Sequence, residues 1–171
     1  NIKFTILAPR QAKAFRKVGT EAWQTVTESG INSRKAYKIN LPSGKSIAVF
    51  FYDGEISQGV AFNGLLNDGE KFSNALRNGF DTDDAEPQLV NIATDGESYG
   101  HHHKHGDMAL AFCLDHIHRL KHNHLMNYAQ FLKKFPPLYE VQIHENSSWS
   151  CVHGVERWRS DCGCNTGGNP Y

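Results

Sequence analysis

Apolar and polar positions alternate along this chain in two rhythms, one suited to strands and one to helices. Ile2 to Leu7 is an apolar, β-prone run that stops at Ala8 and Pro9. "RQAKAFRKV" reads as a helix, with Pro9 suited to its first turn. "AYKINLPSGKSIAVFFYD" reads as a hairpin: Tyr37 to Leu41, a turn at "PSG", and a return strand from Ser46 to Tyr52. "GEISQGVAF" and "NDGEKFSNALRNGF" read as helices, the second opened by an Asn or Asp cap and closed near Gly79. The acidic loop "DTDDAEP" leads into Pro87 to Thr94, "PQLVNIAT", a second strand of the buried type. From Lys104 to Leu120, apolar residues return at helical spacing: Met108, Leu110, Ala111, Leu114, Ile117 and Leu120. "LMNYAQFLKKF" gives a further helix, ended by Pro136 and Pro137. "LYEVQI" is a third strand of this type, and the chain is loop-like from His144 onward.

Strands alternating with helices imply an α/β fold with parallel strands, here one domain over residues 1–171. Functional groups in such folds gather where strands end. Three such ends carry polar clusters: "YDGE", "TDGESYGHHH" and "HENSSW". Their recurrence points to one shared site.

A chain of 171 residues can bury roughly 70% of its unfolded surface, so a core forms without staples. Lys plus Arg and Asp plus Glu both number 18, leaving no net field to draw nucleic acid or an anionic membrane. No apolar run nears the ~18 residues a bilayer span needs. The chain opens inside a strand and without an initiator Met, as an excised piece does, and shows no signal peptide. Four unevenly spaced Cys do not make a disulfide framework, so a reduced, cytoplasmic chain is expected.

Asp95 follows the apolar run "LVNIAT", so its carboxylate is expected at a strand's carboxyl end. Glu97 would share its side in extended geometry. Spacing leaves a solvated turn and a ligand site equally open. The stretch "ATDGESYGHHHKHGDMALA" resembles the Asp-Gly-Glu-x-(aromatic)-Gly motif of glycoside hydrolase family 57. "IAVFFYDGEISQGVAF" resembles that family's strand, Asp and following helix. "HENSSWSCVHGVERWRSDCGCNTGG" resembles a signature of uncharacterised proteins related to it.

The resemblance implies an incomplete seven-stranded (β/α) barrel of parallel strands with flanking helices, and retaining chemistry on α-glucans. Hydrolysis and glycosyl transfer both stay open. It implies Asp95 as general acid/base and no cofactor required for catalysis. The family's nucleophilic Glu lies upstream of the segment resembling "FTILAPRQA". The chain is therefore expected to be the second half of a catalytic barrel domain, inactive alone. The rest of the domain or a partner chain would complete the site. The expected partner is an α-glucan or oligosaccharide, with no nucleic acid and no membrane. Expected substrate contacts are Asp53, Glu97, His101, His102, Trp149, His153 and Trp158. Tyr99 is a further stacking candidate and Glu156 a further lining one. Imidazoles hydrogen-bond sugar hydroxyls, and aromatic faces stack on sugar C–H surfaces.

Two other readings stand beside this one. In the first, Asp95, Asp107 and two imidazoles from His101, His102, His103 and His105 hold a metal, as in a metal-dependent polysaccharide deacetylase-like hydrolase. The second is an inactive carbohydrate-binding or zinc-stabilised module. Cys151, His153, Cys162 and Cys164 could supply three thiolates and an imidazole to a structural zinc. C-x-H and C-x-C are tighter than the usual spacing, and free buried thiols or a disulfide are the alternatives. His116, His118, His122 and His124 flank a helix end and read as solvent-facing. Cys113, among Ala111, Phe112 and Leu114, reads as a small core residue.

Overall fold

A computed structural model describes residues 2–120 and 123–164, so His122 lies outside the described residues, as do residues 165–171. Strands β1 (Phe4–Leu7), β2 (Ala12–Lys17), β3 (Gln24–Thr25), β4 (Ala36–Asn40), β5 (Ser46–Phe51) and β6 (Tyr139–Ile143) form one sheet in the order β1-β5-β4-β6-β2-β3. β1 runs parallel to β5 and β4 to β6, while the other neighbouring pairs are antiparallel. The expectation of parallel strands is thus corrected to a mixed sheet. A tight hairpin such as β4–β5 is antiparallel by construction, and its register, Asn40 opposite Ser46, is the one the "PSG" turn imposes.

Two further expectations change. "RQAKAFRKV" is a single 3-10 turn, Pro9–Gln11, followed by β2. Ala, Lys and Arg favour helix weakly, but tertiary pairing overrides that preference. Ala12 and Ala14 are buried with exposed Lys13 between them, and the strand pairs with β6 from Ala12 opposite Ile143 to Lys17 opposite Tyr139. Pro87 to Thr94 forms no strand and belongs to no ladder. Its main chain is held at separate points: Leu89 N–H donates to Arg34 O (2.8 Å), and Asn91 O accepts from Asp53 N–H (2.7 Å).

The helices are α1 (Gly54–Ala61), α2 (Gly69–Asn78), α3 (Gly106–Arg119) and α4 (Tyr128–Lys134). Each of three has an N-terminal cap: Asp53 accepts from Ile56 N–H, Asp68 from Glu70 and Lys71 N–H, and Asn127 from Gln130 N–H. The buried face of α3 is Gly106, Ala109, Cys113 and Ile117. The apolar Met108 and Leu114 face outward instead. Small residues face α2 because the two helices approach closely. A Cβ on Gly69 would meet the Phe112 side chain at 2.8 Å and Ala109 O at 3.0 Å.

Period-2 alternation sorts β5 between two clusters. Val49 and Phe51 pack with Ala12, Ile31, Tyr37 and Val141 on one face, and Phe50 packs with Ala36 and Phe131 on the other. A third cluster, Ile56, Val60, Leu66, Phe72, Cys113 and Ile117, joins α1, α2 and α3. The buried Cys113 is the small core residue expected, and burial pushes its thiol up to about 11. No helix among the described residues is long and apolar enough to cross a membrane.

Candidate active site

β1 and β5 are parallel and in register, Leu7 opposite Phe51, so their carboxyl ends lie together. Tyr52 N–H donates to Leu7 O (3.3 Å), extending that junction by one residue. The segment carrying Asp95 is fastened to it by two buried polar residues. Asn91 donates through Nδ2 to Phe51 O (3.2 Å) and accepts from the Tyr128 hydroxyl at 3.1 Å. Ser57 Oγ donates to Asp53 O (2.6 Å) and accepts from Ala93 N–H (3.1 Å). The loop after β6 is tied to the same end, with His144 N–H donating to Gln11 O at 2.8 Å. Arg10 Nη2 donates to Ser148 O (2.8 Å), and Gln11 Nε2 to Ser147 Oγ (3.2 Å).

These ties enclose an open cavity of about 660 Å³. Its wall takes Leu7, Ala8 and Gln11 from the first strand end, Tyr52 and Ser57 beside the second, Thr94 and Asp95, and Ser147 to Trp149 with Trp158. The three polar clusters read from the sequence, "YDGE", "TDGESYGHHH" and "HENSSW", each contribute to it. Asp95 is exposed and, among the described residues, is the only one lining the cavity that carries a side-chain carboxylate. Trp149 and Trp158 are each 64% exposed, which leaves indole faces free for a ligand.

Other candidates lie elsewhere. Asp53 caps α1 and does not line the cavity. Glu97, His101 and His102 form a neighbouring group outside it, with His102 Nε2 3.6 Å from Glu97 Oε2 and the two imidazoles 5.0 Å apart. His103 Nε2 lies 2.9 Å from Ala61 O. Tyr99 packs against the α1–α3 cluster, its hydroxyl 2.9 Å from Thr94 Oγ1, so it braces Asp95's neighbour. Glu156 pairs with Arg159 at 3.3 Å. Gln11, Gln58 and Ser147 line the cavity but were not singled out in the sequence. Gln11 fell inside the stretch read as helix. His118 and His124 are exposed as expected, whereas His116 is half-buried against Phe112.

Among the described residues, one group of His, Cys, Asp and Glu brings its donor atoms within 4.8 Å of one another: Cys151, His153, Cys162 and Cys164. Asp95, Asp107 and the histidines after Gly100 form no such group. Cys151 Sγ lies 3.8 Å from Cys162 Sγ, 3.1 Å from Cys164 Sγ and 3.6 Å from His153 Nδ1; His153 Nδ1 is 3.3 Å from Cys164 Sγ. The close Cys164 contact pulls the Cys151 thiol down to about 7, and the same pairing pushes Cys164 up to about 11. All four thiols of the chain are free.

Residues 8–144 match the model of glycosyl hydrolase family 57, and this span includes the Asp95 segment and the carboxyl ends of β5 and β6. The chain belongs to glycosyl hydrolase family 57. Its fold resembles that of a maltose-forming exo-type amylase from Pyrococcus sp. ST04, with a TM-score of 0.60 at 23% identity over 90% of this chain and 27% of the amylase. It also resembles a 4-alpha-glucanotransferase from Thermococcus litoralis, with a TM-score of 0.51 at 22% identity over 68% of this chain and 18% of the transferase. This family 57 chain thus spans about a quarter or less of the length of either enzyme. No curated protein matches it.

Proposed function

We propose that this chain carries the acid/base side of a retaining family 57 site acting on α-glucans, by hydrolysis or by transfer. The observation that carries the reading is the shared cavity, in which Asp95 and the exposed indoles of Trp149 and Trp158 line one sugar-sized space. Protonated Asp95 would donate to the departing glycosidic oxygen. Its carboxylate would then take a proton from the incoming water or sugar hydroxyl. Ser57 and Asn91 hold the segment that carries it.

Retention requires a second carboxylate roughly 5–5.5 Å away as nucleophile. Among the described residues no other carboxylate lines the cavity, so we assign the nucleophile to a part of the enzyme beyond these walls. In the same reading the sheet is the second half of a larger (β/α) barrel, completed by the rest of the catalytic domain or by a partner chain. The small share of each solved enzyme that the chain spans supports this. A reducing, cytoplasmic setting fits the free thiols.

Asp95→Asn in the intact enzyme tests the assignment. Turnover of an α-glucan should fall by about 10²–10⁴-fold, while maltooligosaccharide binding by calorimetry stays within a few-fold. Near-normal turnover would remove Asp95 from the chemistry. An intact protein that binds glucan but turns it over neither before nor after the change would be a binding module.

A further inference from the structure

We propose that Cys151, His153, Cys162 and Cys164 hold one zinc ion, and that this ion fixes Trp158 and Trp149 as a wall of the glucan cavity. The second half rests on the functional reading above; the first does not. A tetrahedral zinc with bonds of about 2.3 Å to sulfur and about 2.0 Å to nitrogen sets sulfur pairs roughly 3.8 Å apart and sulfur–nitrogen pairs roughly 3.5 Å apart. The Cys151–Cys162 separation is 3.8 Å, and His153 Nδ1 stands 3.6 Å from Cys151 and 3.3 Å from Cys164. Cys151 and Cys164 are closer, at 3.1 Å, but remain far outside the covalent sulfur–sulfur distance of about 2.05 Å. Three thiols and one imidazole that converge without a common protein partner form the donor set of a closed structural site.

The position of the cluster gives the ion its task. Cys151 is buried two residues after Trp149, and Trp158 lies on the 3-10 turn Gly154–Trp158 between the ligand pairs. Beyond buried Gly154 and half-buried Val155, the residues of that turn are exposed. Its anchor is Val155 N–H to Asn146 O (2.8 Å), and Trp158 itself is mostly exposed. Few contacts of its own would hold such a segment against the cavity. A metal that joins its two ends removes most of the freedom left to Trp158.

Elemental analysis of the purified protein should find about one zinc per chain, lost in Cys162→Ser and in Cys164→Ser. Stripping the ion with a chelator should shift tryptophan emission in a Trp23→Phe background, where only Trp149 and Trp158 report. Far-ultraviolet circular dichroism should stay unchanged, and maltooligosaccharide affinity should weaken roughly tenfold or more, restored by zinc. Trp158→Ala should lose comparable affinity yet keep its zinc. Metal-free protein with a Cys151–Cys164 disulfide in its mass spectrum would overturn the proposal. So would bound zinc whose removal leaves both emission and affinity unchanged. Bound zinc that governs emission, in a protein with no glucan affinity in any form, would uphold the metal centre and overturn the glucan reading alone.

Discussion

Ser57 belongs to α1, yet its hydroxyl reaches across to the segment that presents Asp95. Ser57 is buried and both of its hydrogen bonds are partly buried, so Ser57→Ala removes the side-chain acceptor of the Ala93 N–H. Urea unfolding should then show a loss of about 0.5–1.5 kcal/mol; an unchanged midpoint would mean that water or another group satisfies the amide. Gly154 is a second critical position. Its φ of +64° suits glycine, and a Cβ there would collide with Asn146 O. Gly154→Ala must displace the Trp158 turn, with an expected cost above about 1 kcal/mol. Neither residue could be singled out from sequence, because Ser57 acts on a segment 36 positions away and Gly154 acts through the way its loop folds back on Asn146 and Ser147. Asp95 could be, because its Asp-Gly-Glu setting is a local pattern.

Local patterns also explain which elements were readable. The hairpin has a turn signal between two apolar runs, and α2 and α4 carry their own caps. Strand β2 has neither signal, and its identity comes from β6, far along the chain. The face of α3 misled for a related reason. Bulk apolar residues marked one stripe, while close packing selected small residues: Gly106 lies against Ser98, Tyr99 and Leu66, Ala109 against Gly69 of α2, and Cys113 joins the cluster that holds Phe72 of α2. At the centre of the sheet, Glu140 on β6 binds β4 and β2 together. It accepts from Asn40 Nδ2 (2.8 Å) and Arg16 Nε (2.7 Å), with Lys38 Nζ at 3.3 Å. The Asn40 amide first, and then the Arg16 guanidinium, hold its carboxyl down to about 2. A folded value below the unfolded one gives stability that is present above about pH 5 and lost as pH falls toward 2. Glu140→Gln should lower Tm by several degrees at pH 7 and flatten the acid limb of the Tm–pH curve. An acid limb as steep as the parent's would assign that loss to other carboxylates.

For the whole molecule, the cavity is where separate elements agree. The turn after β1, the end of β5, the segment before Asp95 and the loop after β6 each deliver polar residues to one space. The sequence predicted that convergence through its three polar strand ends, whereas the mixed direction of the sheet and the offset of His101 and His102 depend on packing it does not spell out. The central claim is that Asp95 is the proton donor within this space, and leaving-group chemistry tests it most directly. An aryl α-glucoside with an acidic phenol departs without protonation, so Asp95→Asn in the intact enzyme should form the glycosyl intermediate from it at close to the parent rate, though it is crippled on natural glucan. Azide should then speed turnover and yield the α-glucosyl azide. An equal loss on both substrates, with no azide product, would contradict the account.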